Sequence, residues 1–292
     1  MRIAVTGADG LLGSELVRVL RATHHVVGLG RNQLDVANET AIARTIDQLR
    51  PDVIIHAAAY TDVDRAETDR HTAYTVNAYG TGHLALAAER VGARFIFIST
   101  DYVFDGQKGS AYTETDQPAP INIYGESKRI GEQLASRLCS NYVIVRTAWL
   151  FGGGGGNFAR KVVGAALYNR PIYAAVDVAG SPTYTGDLAR FLLRLLDHRF
   201  CGILHAVNSG DCSKYQFAAH ILQQLRADES LALPVALSEL DLPAKRPANT
   251  ALRQQAIADA GLEPLDDWRD AVRRFLDEAS GGGLGSGEEV VG

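Results

Sequence analysis

The stretch Ile3-Ala4-Val5-Thr6-Gly7-Ala8-Asp9-Gly10-Leu11-Leu12-Gly13 decides the fold. Ile3–Thr6 reads as a short strand. Three glycines follow at intervals of three, and Leu12–Leu20 then carries apolar residues at helical spacing. A strand that turns through glycines into a helix offers backbone N–H groups and a partly positive helix end to a pyrophosphate, with no Cβ in the way. The spacing is GxxGxxG, not the GxGxxG of many dehydrogenases.

Working outward, Val26–Leu29, Val53–His56, Phe95–Ser99 and Tyr142–Arg146 repeat the short apolar pattern. Thr40–Leu49, Ala73–Arg90 and Glu126–Leu138 read as helices between them. Such alternation predicts right-handed crossovers and an α/β fold, a doubly wound parallel sheet of the Rossmann type. Residues 1–150 form the expected dinucleotide-binding domain, to which later segments return. Residues 151–279 form a smaller, mainly helical, substrate-binding part. It opens on the glycine run Gly152–Gly156, expected to be a loop. Helices are expected at Phe158–Tyr168, Gly186–Asp197, Lys214–Leu225, Thr250–Ala260 and Asp266–Ala279, with strands at Ile172–Ala175 and Ile203–Val207. Residues 280–292 (SGGGLGSGEEVVG) lack periodicity and are expected to be a disordered tail.

Composition excludes several function classes. The chain has 292 residues, 46% apolar and 22% charged, enough to bury a sizeable core. A net charge of −5 carries no electrostatic footprint for nucleic acid or an anionic membrane. Cys139, Cys201 and Cys212 match no zinc or redox spacing, which points to reduced thiols and a cytoplasmic setting. No apolar run reaches the ~18 residues of a membrane helix, and the N-terminus has no signal-peptide layout.

Candidate site residues cluster where the expected strands end. The second strand ends at Gly30-Arg31, where many NAD-binding folds place an acid on the ribose 2′-OH. A guanidinium suits a 2′-phosphate instead, so Arg31 favours NADPH over NADH. Asp35-Val36 is the alternative contact to the adenosine half. Ala58-Ala59-Tyr60 follows the third strand with side chains small enough for a cofactor to lie close. Ser99-Thr100 ends the fourth strand and offers a hydroxyl to a carbonyl gaining negative charge. Tyr124 and Lys128 stand four apart on one helical face. A lysine ammonium beside the phenol is expected to lower its pKa and make it a general acid.

Taken together, these segments resemble the extended short-chain dehydrogenase/reductase superfamily and, within it, the dTDP-4-dehydrorhamnose reductase family. The resemblance rests on GADGLLG (7–13), HAAAYTDVDRAE (56–67), VNAYGT (76–81), STDYVFDG (99–106), YGESKRIGE (124–132), RTAWLFG (146–152), GSPTYTGDLA (180–189) and RPANTAL (246–252). It implies reduction of the 4-keto group of dTDP-4-dehydro-L-rhamnose with NADPH or NADH. Tyr124 would be the proton donor, Lys128 the ribose-holding lysine and Thr100 the third member of the triad. Gly7, Gly10, Leu11, Leu12, Gly13, Arg31, Asp35, Val36 and Ala58–Tyr60, with Tyr124 and Lys128, would contact the cofactor. Asp101, Tyr102 and Trp149 would line the sugar site with Thr100. Charge alone makes Lys245 and Arg246 candidates for the nucleotide diphosphate. The family pattern Asp-Gln before the GxPT glycine is here Asp177-Val178-Ala179-Gly180. Some family members are magnesium-linked homodimers, so the resemblance leaves open a homodimer of this chain with Mg2+ at its interface; Glu15 is present, but the remaining ligands are not placed and no metal site is predicted. Three other functions fit the same motifs: a ketoreductase for another nucleotide-linked deoxysugar, a non-catalytic NADP-binding regulatory subunit, and a nucleotide-sugar epimerase or dehydratase.

Overall fold

The computed structural model describes residues 1–281. Six strands form the central sheet: β1 (Arg2–Thr6), β2 (His25–Leu29), β3 (Val53–His56), β4 (Arg94–Thr100), β5 (Tyr142–Thr147) and β6 (Gly202–His205). Their order across the sheet is β2-β1-β3-β4-β5-β6, and every pairing is parallel. The winding reverses between β1 and β3, which opens a crevice at the carboxyl edge of the sheet. The register aligns that edge: Thr6 lies beside Leu29 and His56, and Thr100 beside Thr147.

The principal helices are α1 (Leu11–Leu20), α2 (Glu39–Leu49), α3 (Gly80–Val91), α4 (Ile123–Leu138), α5 (Phe158–Tyr168), α6 (Thr185–Leu196), α7 (Lys214–Gln224) and α8 (Trp268–Gly281). Alternation along the strands sends side chains to both faces. Ile3, Val5, Ile96 and Ile98 pack with residues of α1 and α6. Ala4, Ile54, Phe95 and Phe97 pack with residues of α2, α3 and α4. Each such fully buried side chain contributes about 1.5–3 kcal/mol relative to exposure. A third cluster, centred on Phe151, Phe217, Trp268 and Phe275, unites α5, α7 and α8 beside the sheet.

Two expected helices differ. The expected Ala73–Arg90 helix is broken: Arg70–Tyr74 is α-helical, Thr75–Tyr79 is a π-helical turn, and α3 continues from Gly80. The widened turn holds Asn77, whose side chain accepts from Tyr60 N at 2.8 Å and donates to Tyr60 O and Ser127 Oγ, each at 3.0 Å. The expected Thr250–Ala260 helix shrinks to Gln255–Asp259, because Asn249 and Leu252 form β-bridges to Ala179 and Tyr112. The tail expected from residue 280 begins inside α8, and residues 282–292 lie outside the described residues. Among the described residues no helix is long and apolar enough to cross a membrane.

Candidate active site

A cleft of about 900 Å³ runs along the carboxyl edge of the sheet. All thirteen residues expected to contact the cofactor line it, as do Thr100 and Trp149. The glycines of the first turn are there for different reasons. Gly7 has φ +66°, and a Cβ on it would stand 2.6 Å from Ala58 Cα. A Cβ on Gly13 would overlap the backbone of Gly7. These two glycines close the turn against itself and against the end of β3. A Cβ on Gly10 would meet nothing nearer than Gly7 O at 3.2 Å, so its bareness serves the cleft side. With α1 starting at Leu11, the turn fits a dinucleotide pyrophosphate.

Helix α4 carries Tyr124 and Lys128, and its start is pinned from three sides. Asn122 Oδ1 accepts from Gly125 N at 2.8 Å, and Asn122 Nδ2 donates to Lys245 O at 2.9 Å. Ile123 N donates to Glu67 Oε1 at 2.9 Å. A Cβ on Gly125 would stand 2.9 Å from the Tyr102 carbonyl carbon, so the glycine lets α4 close on the segment after β4.

Thr100 donates to Asp101 Oδ1 at 3.0 Å and is hydrogen-bonded to Tyr124. The expectation of a lowered Tyr124 pKa does not hold. Burial pushes the phenol up to about 12, with the Thr100 hydrogen bond opposing. Lys128 is itself buried, which brings its amine down to about 7. Its Nζ donates to Ile98 O at 2.6 Å and lies 4.1 Å from the Phe97 ring centroid. A lysine so desolvated is a weak charge source for its neighbour, and the tyrosine keeps its proton at neutral pH.

The opposite wall is built around Trp149. Its backbone has φ +44°, a left-handed conformation that costs a bulky residue of order 1–3 kcal/mol. A Cβ on Gly180 would stand 2.6 Å from Trp149 Cζ2, so the glycine lies flat against the indole. Lys214 Nζ sits 3.4 Å from the indole centroid and 5.1 Å from that of Phe158. Burial lowers this amine to about 7, while nearby Asp101 raises it. Lys214 lines the cleft, yet nothing in its sequence context marks it, since a lysine after a helix-capping serine is common.

Four expected contacts lie elsewhere. Asp101 and Tyr102 do not line the cleft. Asp101 is buried behind Thr100, and burial raises its carboxyl to about 6 against hydrogen bonds from Thr250 and Thr100. Tyr102 meets Tyr124 edge to face at 5.8 Å. Arg246 is committed to Asp64, with Nη2 2.7 Å from Oδ2, and neither it nor Lys245 reaches the cleft wall. Glu15 pairs with Arg18, and among the described residues no group of three or more His, Cys, Asp or Glu side chains is placed to hold a metal ion.

Comparison with known proteins accords with this geometry. The family model described as RmlD substrate binding domain matches residues 1–280. A dTDP-4-dehydrorhamnose reductase of Mycobacterium tuberculosis is 41% identical over 282 residues, covering 94% of this chain and 92% of the relative. A probable dTDP-4,6-dihydroxy-2-methyloxan-3-one 4-ketoreductase of Streptomyces antibioticus is 38% identical over 277 residues, covering 94% of each chain. The crystal structure of dTDP-4-dehydrorhamnose reductase from Bacillus anthracis in complex with NADP superposes with a TM-score of 0.93 at 36% identity, covering 95% of this chain and 99% of that one. On the strength of these matches over nearly its whole length, the chain belongs to the dTDP-4-dehydrorhamnose reductase family.

Proposed function

We propose that this protein reduces the 4-keto group of dTDP-4-dehydro-L-rhamnose to the alcohol, with NADPH as reductant and Tyr124 as proton donor. The observation that carries the reading is the meeting of Thr100, Tyr124 and Lys128 with the glycine turn in one cleft. When bound, the reduced nicotinamide supplies the hydride. The chain's own residues do the rest. The turn at Gly7–Gly13 holds the pyrophosphate, and Arg31 faces the adenosine end. Tyr124, held protonated by burial, gives its proton to the sugar O4. Thr100 turns its single O–H from Asp101 Oδ1, to which it donates in this structure, toward the developing alkoxide as the proton leaves Tyr124. Lys128 holds the nicotinamide ribose. Trp149 and Lys214 form the wall against which the sugar lies, with the ammonium available to its hydroxyls.

The test is NADPH oxidation at 340 nm with enzymatically made dTDP-4-dehydro-L-rhamnose. Turnover to dTDP-L-rhamnose is expected; clear NADPH binding with no turnover would sink the assignment. A second reading, ketoreduction of another dTDP-linked deoxysugar, is favoured by the 38% identity to the Streptomyces ketoreductase. It predicts faster turnover of such a sugar in the same assay.

A further inference from the structure

The end of β2 bears on which nicotinamide dinucleotide the protein uses. Folds of this kind that bind NAD place an acidic side chain there to accept the adenosine ribose 2′-OH. Here that position is Gly30, which has no side chain to offer. The space above it is nevertheless taken by a carboxylate. A Cβ on Gly30 would overlap the Asp9 carboxyl group, with Oδ1 at 2.7 Å. Asp9 belongs to the phosphate-binding turn, is exposed, and lines the cleft. It has no hydrogen-bond or ion-pair partner among the described residues, and neither has the Arg31 side chain. An acid and a base thus flank the same end of the cleft without neutralising each other.

We infer that Asp9 is a cofactor-selecting residue, which supplies from the glycine turn the acid missing from the end of β2. This inference rests on the reading above as a nicotinamide-dependent reductase. The Asp9 carboxylate accepts a hydrogen bond from a ribose 2′-OH and opposes a 2′-phosphate, while the Arg31 guanidinium attracts that phosphate. The two side chains pull in opposite directions, so the preference between NADH and NADPH is set by Asp9 against Arg31. Because Gly30 is bare, the carboxylate can lie across it; a side chain there would displace it.

The experiment is fluorescence titration of the full chain with NADH and with NADPH, alongside kcat/KM for each with the keto-sugar. Wild type is compared with Asp9→Asn, Asp9→Ala and Arg31→Ala. Asp9→Asn keeps the size of the side chain and removes the charge, and circular dichroism verifies that each variant is folded. A charged hydrogen bond lost and a repulsion relieved together correspond to about a tenfold or larger shift. The expected result is therefore a rise of about tenfold in the NADPH-to-NADH ratio, in both binding and kcat/KM, for both Asp9 variants, and a fall for Arg31→Ala. Both nucleotides bound with a ratio moved less than twofold by Asp9→Asn would overturn the role of Asp9. Neither nucleotide bound by wild type would overturn the reductase reading itself, and the inference with it.

Discussion

The glycine turn and the tryptophan wall face one cleft and are built by opposite means. The turn is local: Gly7, Gly10 and Gly13 act within one connection, Gly7 and Gly13 dictated by backbone contacts within it or with the adjacent end of β3, and Gly10 by the bare face it presents to the cleft. The wall is assembled from Trp149, Gly180 and Lys214, which meet only after the chain has wound through the sheet and returned. A function that depends on backbone geometry leaves a short motif, whereas one that depends on distant packing leaves isolated residues. The two walls are therefore expected to fail differently when altered.

The largest effect is expected in the turn. Gly13→Val would drive two methyl groups into the Gly7 backbone, where even a Cβ overlaps. Overpacking of a rigid turn costs about 1–3 kcal/mol or more, and the cost falls on the surface proposed to hold the pyrophosphate. A drop of several degrees in Tm with loss of NADPH binding beyond about tenfold is expected, measured by thermal melting and titration. Unchanged nucleotide binding would mean that the cradle is elsewhere.

Lys214→Met should show the opposite split. Lys214 is a partly buried amine with no hydrogen-bond partner among the described residues, so replacing it by an apolar chain of similar length relieves a desolvation cost. Tm is expected to hold or rise, while KM for the keto-sugar rises about tenfold, the worth of one charged hydrogen bond. If Tm falls and KM stays, Lys214 is a packing residue and the wall does not bind sugar.

The smallest effect on nucleotide and sugar binding, an effect on stability alone, concerns the sheet. His56 and His205 are buried and brought from 6.5 down to about 3, chiefly by desolvation. Between these values the unfolded chain binds protons that the folded chain does not. Stability is therefore expected to fall as pH drops through that window, by up to about 1.4 kcal/mol per pH unit for each histidine. Melts at pH 7, 6 and 5 should show a descending Tm; a flat profile would contradict the burial of both rings in neutral form.

How much was legible in the sequence follows the same division. The first five strands are readable because β-branched runs alternate with helical ones, and the residues that line the cleft because they follow strand ends. Nothing in the alanine-rich periodicity of 73–90 announces the π-helical turn, which serves the hydrogen bonds of Asn77. Residues 249–252 have helix-compatible side chains, yet pair with Ala179 and Tyr112, partners remote in sequence. Arg246 carried the right charge for a diphosphate, but Asp64 claims it. The spacing of Tyr124 and Lys128 was informative about position and misleading about charge, because burial acts on both groups and no sequence pattern reports it. Asp9 stands within the quoted motif, but its place over the bare Gly30 depends on the folded turn and no sequence pattern reports it.

The central claim is that Tyr124, kept protonated in this cleft, delivers the proton. It is tested most directly by Tyr124→Phe, which removes one hydroxyl and keeps the ring. NADPH binding and kcat with dTDP-4-dehydro-L-rhamnose are measured on the same preparation. The expected result is NADPH affinity within a few-fold of wild type and kcat lower by about 10²–10⁴, the range for loss of a general acid. A variant with kcat within threefold of wild type would contradict the claim and move the proton donor to another group in the cleft.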